Sequence, residues 1–220
     1  MRKRAGSAVR QDQPMTQKEL TAYDIAAPDW SRRIEALGYP TAYLDLLERH
    51  APPDLSAKDV LDAGCGTGDF AVALQAARGT FRSLTLLDPA VEMLAIAHAR
   101  LPQSQPRYGV IDDLAPVPSF DLILSAHALE HCADLTQSLA TLAKTLRDGG
   151  HMILVLSKPH WCNLLIWLRW RHRILPARKV RIAAHLAGLH IGTEHPFPSG
   201  PPSRTSRAYV LRRSRGRTLS

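Results

Sequence analysis

Three cysteines, Cys65, Cys132 and Cys162, are all that this 220-residue chain contains. They are too few and too scattered for a disulfide framework or a zinc site, and they suit a reducing cytosol. No apolar run reaches the roughly 18 residues that a bilayer-spanning helix requires. The opening stretch MRKRAGSAVRQDQP is basic but lacks the apolar core of a secretory signal, so a short disordered arm over 1–15 and a cytoplasmic location are expected. There is no internal repeat, and no His/Asp cluster has metal-ligand spacing. Acid is almost missing from the last third. Residues 151–220 hold 13 Lys and Arg against one acid, Glu194, a net of +12, whereas residues 1–150 carry a net of −4. Such asymmetry marks either contact with an anionic partner or a solvated basic tail. For the end of the chain, 214–220, the tail is expected.

What is present is the composition of a globular enzyme: 45 % hydrophobic and 22 % charged residues, enough chain for one domain with a substantial core. Residues 60–70 read VLDAGCGTGDF. An apolar pair runs into Asp62, and glycines alternate at Gly64, Gly66 and Gly68. This is a strand ending in a tight turn that opens a helix. Its glycines permit backbone conformations closed to side chains and let a ligand approach the main chain. The helix start adds unpaired N–H groups and a positive dipole end. A dinucleotide fingerprint is satisfied in degenerate form by Gly66, Gly68 and Ala71, with Asp88 placed for a ribose. Asp62 opposes that reading, because a carboxylate at the strand end repels a pyrophosphate and welcomes an ammonium group.

The pattern D-x-G-x-G-x-G resembles motif I of the class I S-adenosylmethionine-dependent methyltransferases. Later segments follow that family's order from about Tyr23 to Arg213. FRSLTLLDPAVEMLAIAHARL (81–101) is similar to its second strand and following helix. The resemblance implies that Asp88, with Pro89 after it, binds the ribose hydroxyls and that Met93 flanks the adenine. In RYGVIDDLAPVPSFDLILSAHALEH (107–131), either Asp112 or Asp113 would accept from the adenine amino group. Ser125 would stand at the end of the fourth strand. LRDGGHMILVLSKP (146–159) resembles the helix, glycine turn and fifth strand. The expected fold is a Rossmann-like, doubly wound, mostly parallel seven-stranded α/β sheet over 16–213, with S-adenosyl-L-methionine as cofactor. The cofactor contacts would be Asp62, Gly64, Cys65, Gly66, Gly68, Asp88, Pro89, Met93, Asp112 or Asp113, and Ser125. Cys65 is expected as the small residue that the turn needs, not as a catalytic thiol.

Two helical pieces are expected over 16–50, broken near Pro40. YDIAAPDW places Tyr23 and Trp30 on a segment similar to the family's lid, or simply anchors a helix to the core. His127 and His131, in SAHALEH, fall near the transferred methyl in this fold, and either could remove the acceptor's proton or merely start a helix. With Tyr23 they are the candidate catalytic side chains. A helical insert is expected at 160–175, a helix at about 177–188 and final strands near 190–197 and 206–213, with prolines keeping the last connection irregular. The insert carries Trp161, Trp167 and Trp170 beside Arg169, Arg171 and Arg173. That mix suits a cap over an apolar acceptor, peripheral contact with the inner membrane surface through 160–173, plain packing, or nucleic acid. Where enzymes that methylate base amines carry an Asn- or Asp-Pro-Pro-aromatic motif, this chain reads SAHALEH. That opposes base-amine methylation and leaves other RNA targets open, while the LEH ending (129–131) resembles the quinone-biosynthesis-like, small-molecule branch of the family; a small, apolar or lipid-like acceptor is the preferred reading. RNA methylation and a catalytically silent binding protein are the alternatives, and the oligomeric state is open.

Overall fold

The computed structural model describes residues 15–160 and 175–213. All but Met15 of the expected arm over 1–15, most of the Trp- and Arg-rich insert (161–174) and the tail at 214–220 lie outside the described residues. The described strands are β1 Asp59–Ala63, β2 Ser83–Asp88, β3 Gln105–Tyr108, β4 Phe120–Ala126, β5 Leu146–Ser157, β6 Leu189–Pro196 and β7 Ser206–Arg213. They form one sheet in the order β3-β2-β1-β4-β5-β7-β6. Only β7 runs antiparallel to its neighbours. The chain order reverses between β1 and β4, where the crossovers leave to opposite faces. A crevice opens there beyond the carboxyl ends of the strands.

Helices cover both faces. Val60, Leu84, Leu86, Leu122, Leu124, Ile153 and Val155 pack with α2 (Tyr39–His50) and α3 (Asp69–Arg78). Leu61, Leu87, Ile123, Met152, Leu154 and Tyr209 pack with α5 (Leu135–Thr145) and α6 (Ala177–Leu186). Neighbouring strand residues thus enter opposite cores, which is why the central strands are apolar at nearly every position. The other α-helices among the described residues are α1 (Gln17–Ala36), α4 (Val91–Arg100) and a short α7 (Gly200–Thr205).

Three boundaries differ from expectation. The break between α1 and α2 falls at Gly38, in the left-handed region with φ 79°, and not at Pro40. Pro40 instead sits in the first turn of α2, where its missing N–H costs nothing. Residues 146–150 belong to β5, not to the preceding helix, and the Gly149 turn is absorbed where the register against β4 shifts. The proline-rich connection before β7 forms α7, again with proline confined to the first turn.

The helix α1 lies over the crevice. Thr16 and Glu19 form a reciprocal capping box at its start, satisfying two otherwise orphaned N–H groups. Ala26 and Ala27 are its only buried residues, so its placement depends on its rim contacts more than on core burial.

Candidate active site

A cavity of about 620 Å³ opens at the carboxyl ends of the strands. Its lining runs from Asp88 at the end of β2, through Asp62 and Ala126 on β1 and β4, to Ser157 on β5 and Thr205 before β7. Five adjacent strand ends span about 19 Å at the usual inter-strand spacing. A shallower groove of about 380 Å³, with His50, His151, His190 and Arg212 on its walls, lies at the opposite ends of the strands and holds none of the glycine-turn residues.

The glycine turn hangs from β2: the N–H groups of Gly64 and Cys65 both donate to the Leu87 carbonyl, at 2.7 and 3.0 Å. All three glycines have positive φ, yet each meets a different surrounding. A Cβ on Gly64 would come within 2.2 Å of the Ala128 Cβ, so this position lets the turn pack against the segment after β4. A Cβ on Gly68 would lie 3.1 Å from the Ala97 Cβ, a packing contact with α4. Gly66 has nothing within 4 Å and borders the cavity, so it alone leaves space for a ligand against the backbone. Gly68 does not line the cavity.

Asp62 is 1 % exposed, and neither of its carboxylate oxygens has a hydrogen-bond partner. Burial pushes its pKa up to about 8; the Ala71 backbone N–H, outside hydrogen-bonding geometry, opposes only part of the shift. A buried carboxyl in this state is costly unless a cation or donor arrives. Asp88 is better served. Its Oδ2 accepts from the Gly66 N–H and its Oδ1 from the Ala90 N–H, both at 2.8 Å. Burial still raises its pKa to about 6. Each oxygen keeps a second lone pair, so the carboxylate can hold the turn and accept from a ligand as well. Pro89, Ala90, Met93, Val110 and Ile111 continue the wall beyond it.

The adjacent acids separate in space. Asp112 lines the cavity and accepts from the Ser138 hydroxyl at 2.7 Å, whereas Asp113 does not reach the lining. Ser125 is displaced from its expected role. It is fully buried and donates to the Ala63 carbonyl at 2.7 Å. The β1–β4 ladder ends one pair earlier, at Asp62 and Leu124, and the hydroxyl satisfies the carbonyl left open by the splaying strands. Cys65 does line the cavity; its thiol is buried, its pKa lies well above the ordinary value, and it contacts the Gly66 carbonyl.

Tyr23, on α1, comes down onto the segment after β4. Its hydroxyl lies 3.0 Å from Nε2 of His131, and the rings meet edge to face with centroids 5.6 Å apart. Burial is the main reason its phenol titrates far above the usual range, with Glu130 and Asp88 adding to the effect. Trp30 packs beside it, against Ala27, Ala90 and Met93. Both His131 and His127 line the cavity, but their surroundings differ. His127 is the one non-glycine residue among the described residues with positive φ, at 58°. Its N–H donates to the Val155 carbonyl at 2.8 Å. Its Nδ1 lies 3.2 Å from both Glu130 Oε1 and Ser157 Oγ, and its Nε2 lies 3.3 Å from Ser206 Oγ. These contacts over-determine the ring and hold a backbone conformation that costs about 1 kcal/mol or more.

Several contributors were not singled out from the sequence. Glu130 is 1 % exposed and accepts from the Ser157 N–H at 2.6 Å, locking the His127 segment to β5. An acid between His127 and His131, beside Leu129, is the signal that could have found it. Arg100 donates through Nη1 to Ser31 Oγ, the Thr67 carbonyl and Asp69 Oδ1 at 3.0, 2.7 and 2.9 Å, tying α1 to the glycine turn. Tyr39, Tyr43, Arg33 and Arg204 also line the cavity, and nothing in their local sequence marks them.

Comparison with known proteins agrees with this geometry. Residues 33–190 match the family described as a methyltransferase domain. A trans-aconitate 2-methyltransferase of Deinococcus radiodurans is 33 % identical over 160 residues, covering 72 % of this chain and 57 % of that protein. A demethylmenaquinone methyltransferase of the same organism is 28 % identical over 186 residues, covering 81 % of this chain and 75 % of that one. Against several of the curated relatives it matches, the chain spans about half their length or less. An S-adenosylmethionine-dependent methyltransferase structure from Mesorhizobium loti shares the fold, with a TM-score of 0.65 at 20 % identity over 78 % of this chain and 98 % of that one. With the family match covering most of the chain and the glycine turn, buried Asp62 and Asp88 on one switch-point cavity, this chain belongs to the class I S-adenosylmethionine-dependent methyltransferases.

Proposed function

We propose that this domain transfers a methyl group from S-adenosylmethionine to a small, apolar or lipid-like acceptor. The observation that carries the reading is Asp62, a buried carboxyl without a hydrogen-bond partner on the wall of the switch-point cavity. An amino group of the cofactor beside it would restore the ionised form and offset the cost of burial. Asp88 would accept from the ribose hydroxyls with its free lone pairs, and Gly66 would admit the ligand against the backbone. Ala90, Met93, Val110 and Ile111 would hold the adenine, with Asp112 accepting from its amino group.

When bound, the cofactor supplies an already electrophilic methyl carbon, so the chain's contribution is alignment, exclusion of water and handling of one proton. The lid helix α1 supplies Tyr23 and Trp30 over the reacting region. The Tyr23 phenol is neutral and shares a hydrogen bond with His131 Nε2; with the tautomer in which Nε2 accepts, the phenol would take the acceptor's proton on its oxygen as its own passes to His131. His127 is assigned a positioning role, because both ring nitrogens already contact side chains of the protein.

Calorimetric titration with S-adenosylmethionine, S-adenosylhomocysteine and NADH, repeated with Asp88→Ala, tests the reading. Micromolar binding of the first two, lost in the variant and absent for NADH, is expected. Binding of NADH alone, or of none of the three, would overturn it.

A further inference from the structure

The charges on the cavity wall are segregated. Its acids, Asp62, Asp69, Asp88 and Asp112, belong to β1, β2 and the segments that follow β1 and β3. Of its arginines, Arg204 stands on α7 before β7, at the other end, and Arg33 lies on the last turn of α1. Between them the wall is Ile34, Leu37, Tyr39, Tyr43, Phe70 and Pro201.

Arg204 has a fixed backbone and an uncommitted side chain. The Thr205 hydroxyl donates to the Pro201 carbonyl at 2.9 Å, and the Lys158 N–H donates to the Thr205 carbonyl at 2.9 Å. The Tyr39 hydroxyl lies 3.0 and 2.7 Å from the hydroxyls of Thr205 and Ser206. The Arg204 guanidinium itself makes no hydrogen bond or ion pair with the described residues. No acid of its own region can serve it: Glu194, the single acid in residues 151–220, is shared by Arg181 at 2.6 Å and Arg207 at 3.3 Å. Arg33 is loosely held as well, 3.9 Å from an Asp29 that pairs more closely with Arg32 at 2.5 Å. Arg204, exposed on the wall of an apolar chamber and without an acid partner among the described residues, invites an anion, and Arg33 on the same wall adds positive charge.

We propose that the β5–β7 end of the cavity is an oxyanion subsite, in which Arg204, aided by Arg33, binds the carboxylate or phosphate of an amphipathic acceptor whose apolar body lies along Leu37, Tyr43 and Pro201. The inference rests on the methyltransferase reading, since it divides the cavity into a cofactor end with acids and an acceptor end with Arg204. An arginine fork suits either oxyanion bidentately. The acceptor class is thereby narrowed from apolar to apolar with one negative group.

The test uses decanoate, decyl phosphate, decanol and decyltrimethylammonium as probes. Each is titrated into the full chain with and without saturating S-adenosylhomocysteine. Decanoate or decyl phosphate is expected to bind at least about tenfold more tightly than decanol, and the stronger of the two identifies the oxyanion. Arg204→Gln should remove that preference and leave the affinity for S-adenosylhomocysteine unchanged; Arg33→Gln should weaken it by a smaller factor. Equal binding of anion and alcohol, binding of neither, or an Arg204→Gln protein that still prefers the anion would each overturn the proposal. The S-adenosylhomocysteine arm reports separately on the cofactor reading, so the two can fail independently.

Discussion

The Tyr23 hydroxyl and Nε2 of His131 lie 3.0 Å apart although 108 positions separate them in the chain. The contact joins α1 to the segment after β4, and it places a phenol and an imidazole together on the cavity wall. Burial keeps the phenol neutral, so the pair can pass a proton only as a relay. His131→Asn is expected to lower kcat about 100-fold with little change in KM for the cofactor, and Tyr23→Phe about tenfold. Steady-state kinetics on each variant check this; a purely structural pair would instead raise KM and leave kcat near the wild-type value.

Asp62 makes a prediction about pH. Its folded pKa of about 8 lies above the ordinary 3.8. Between those values the folded chain holds a proton that the unfolded chain has released, so the group's contribution to stability falls as pH rises through that window. Asp62→Asn cannot ionise. The ligand-free variant should therefore melt above the wild type by about 5 °C at pH 8, with the difference shrinking toward pH 5. A melting difference that stays constant from pH 5 to pH 8 would refute the assignment.

The same group links binding to protons. If an ammonium group ionises Asp62, cofactor binding at pH 7 should release up to about one proton. Calorimetry in buffers of different ionisation enthalpy measures that release, which Asp62→Asn should abolish.

Gly64 and Gly66 should fail in different ways. Gly64→Ala drives a methyl group into Ala128 at a positive φ, and a loss of about 3 kcal/mol of stability is expected. Gly66→Ala meets no atom, so about 1 kcal/mol is expected from its backbone alone. Its methyl group would instead obstruct the cavity and weaken S-adenosylhomocysteine binding at least about tenfold. Denaturant melts and titrations separate the two; similar stability losses would contradict the packing argument.

Arg100 holds three acceptors from α1, the glycine turn and α3. Arg100→Met keeps the aliphatic stem and removes the donors. Amide exchange should quicken in α1 while the sheet stays protected, and cofactor affinity should drop about tenfold. Unchanged exchange in α1 would show that the clasp does not govern the lid.

Local chemistry made much of this protein readable from its sequence. The alternation of apolar runs with amphipathic stretches determined the doubly wound sheet, because parallel strands buried on both faces must be apolar almost throughout. The glycine turn and the acids at strand ends were legible on similar grounds. A backbone that bends sharply into positive φ needs glycine, and a carboxylate that ends an apolar strand is costly to bury unless a ligand meets it. What tertiary structure decided was which neighbour each side chain meets. Only the splay of β1 from β4 turned Ser125 toward the Ala63 carbonyl, and only the short helical turn after β3 sent Asp112 into the cavity while leaving Asp113 outside its lining. Gly64, Gly66 and Gly68 look equivalent in the sequence; one faces a methyl group, one a cavity and one a helix. The approach of Arg33 and Arg204, 171 positions apart, to one chamber could not be read locally, because packing of distant segments carries no signal in the residues beside either arginine.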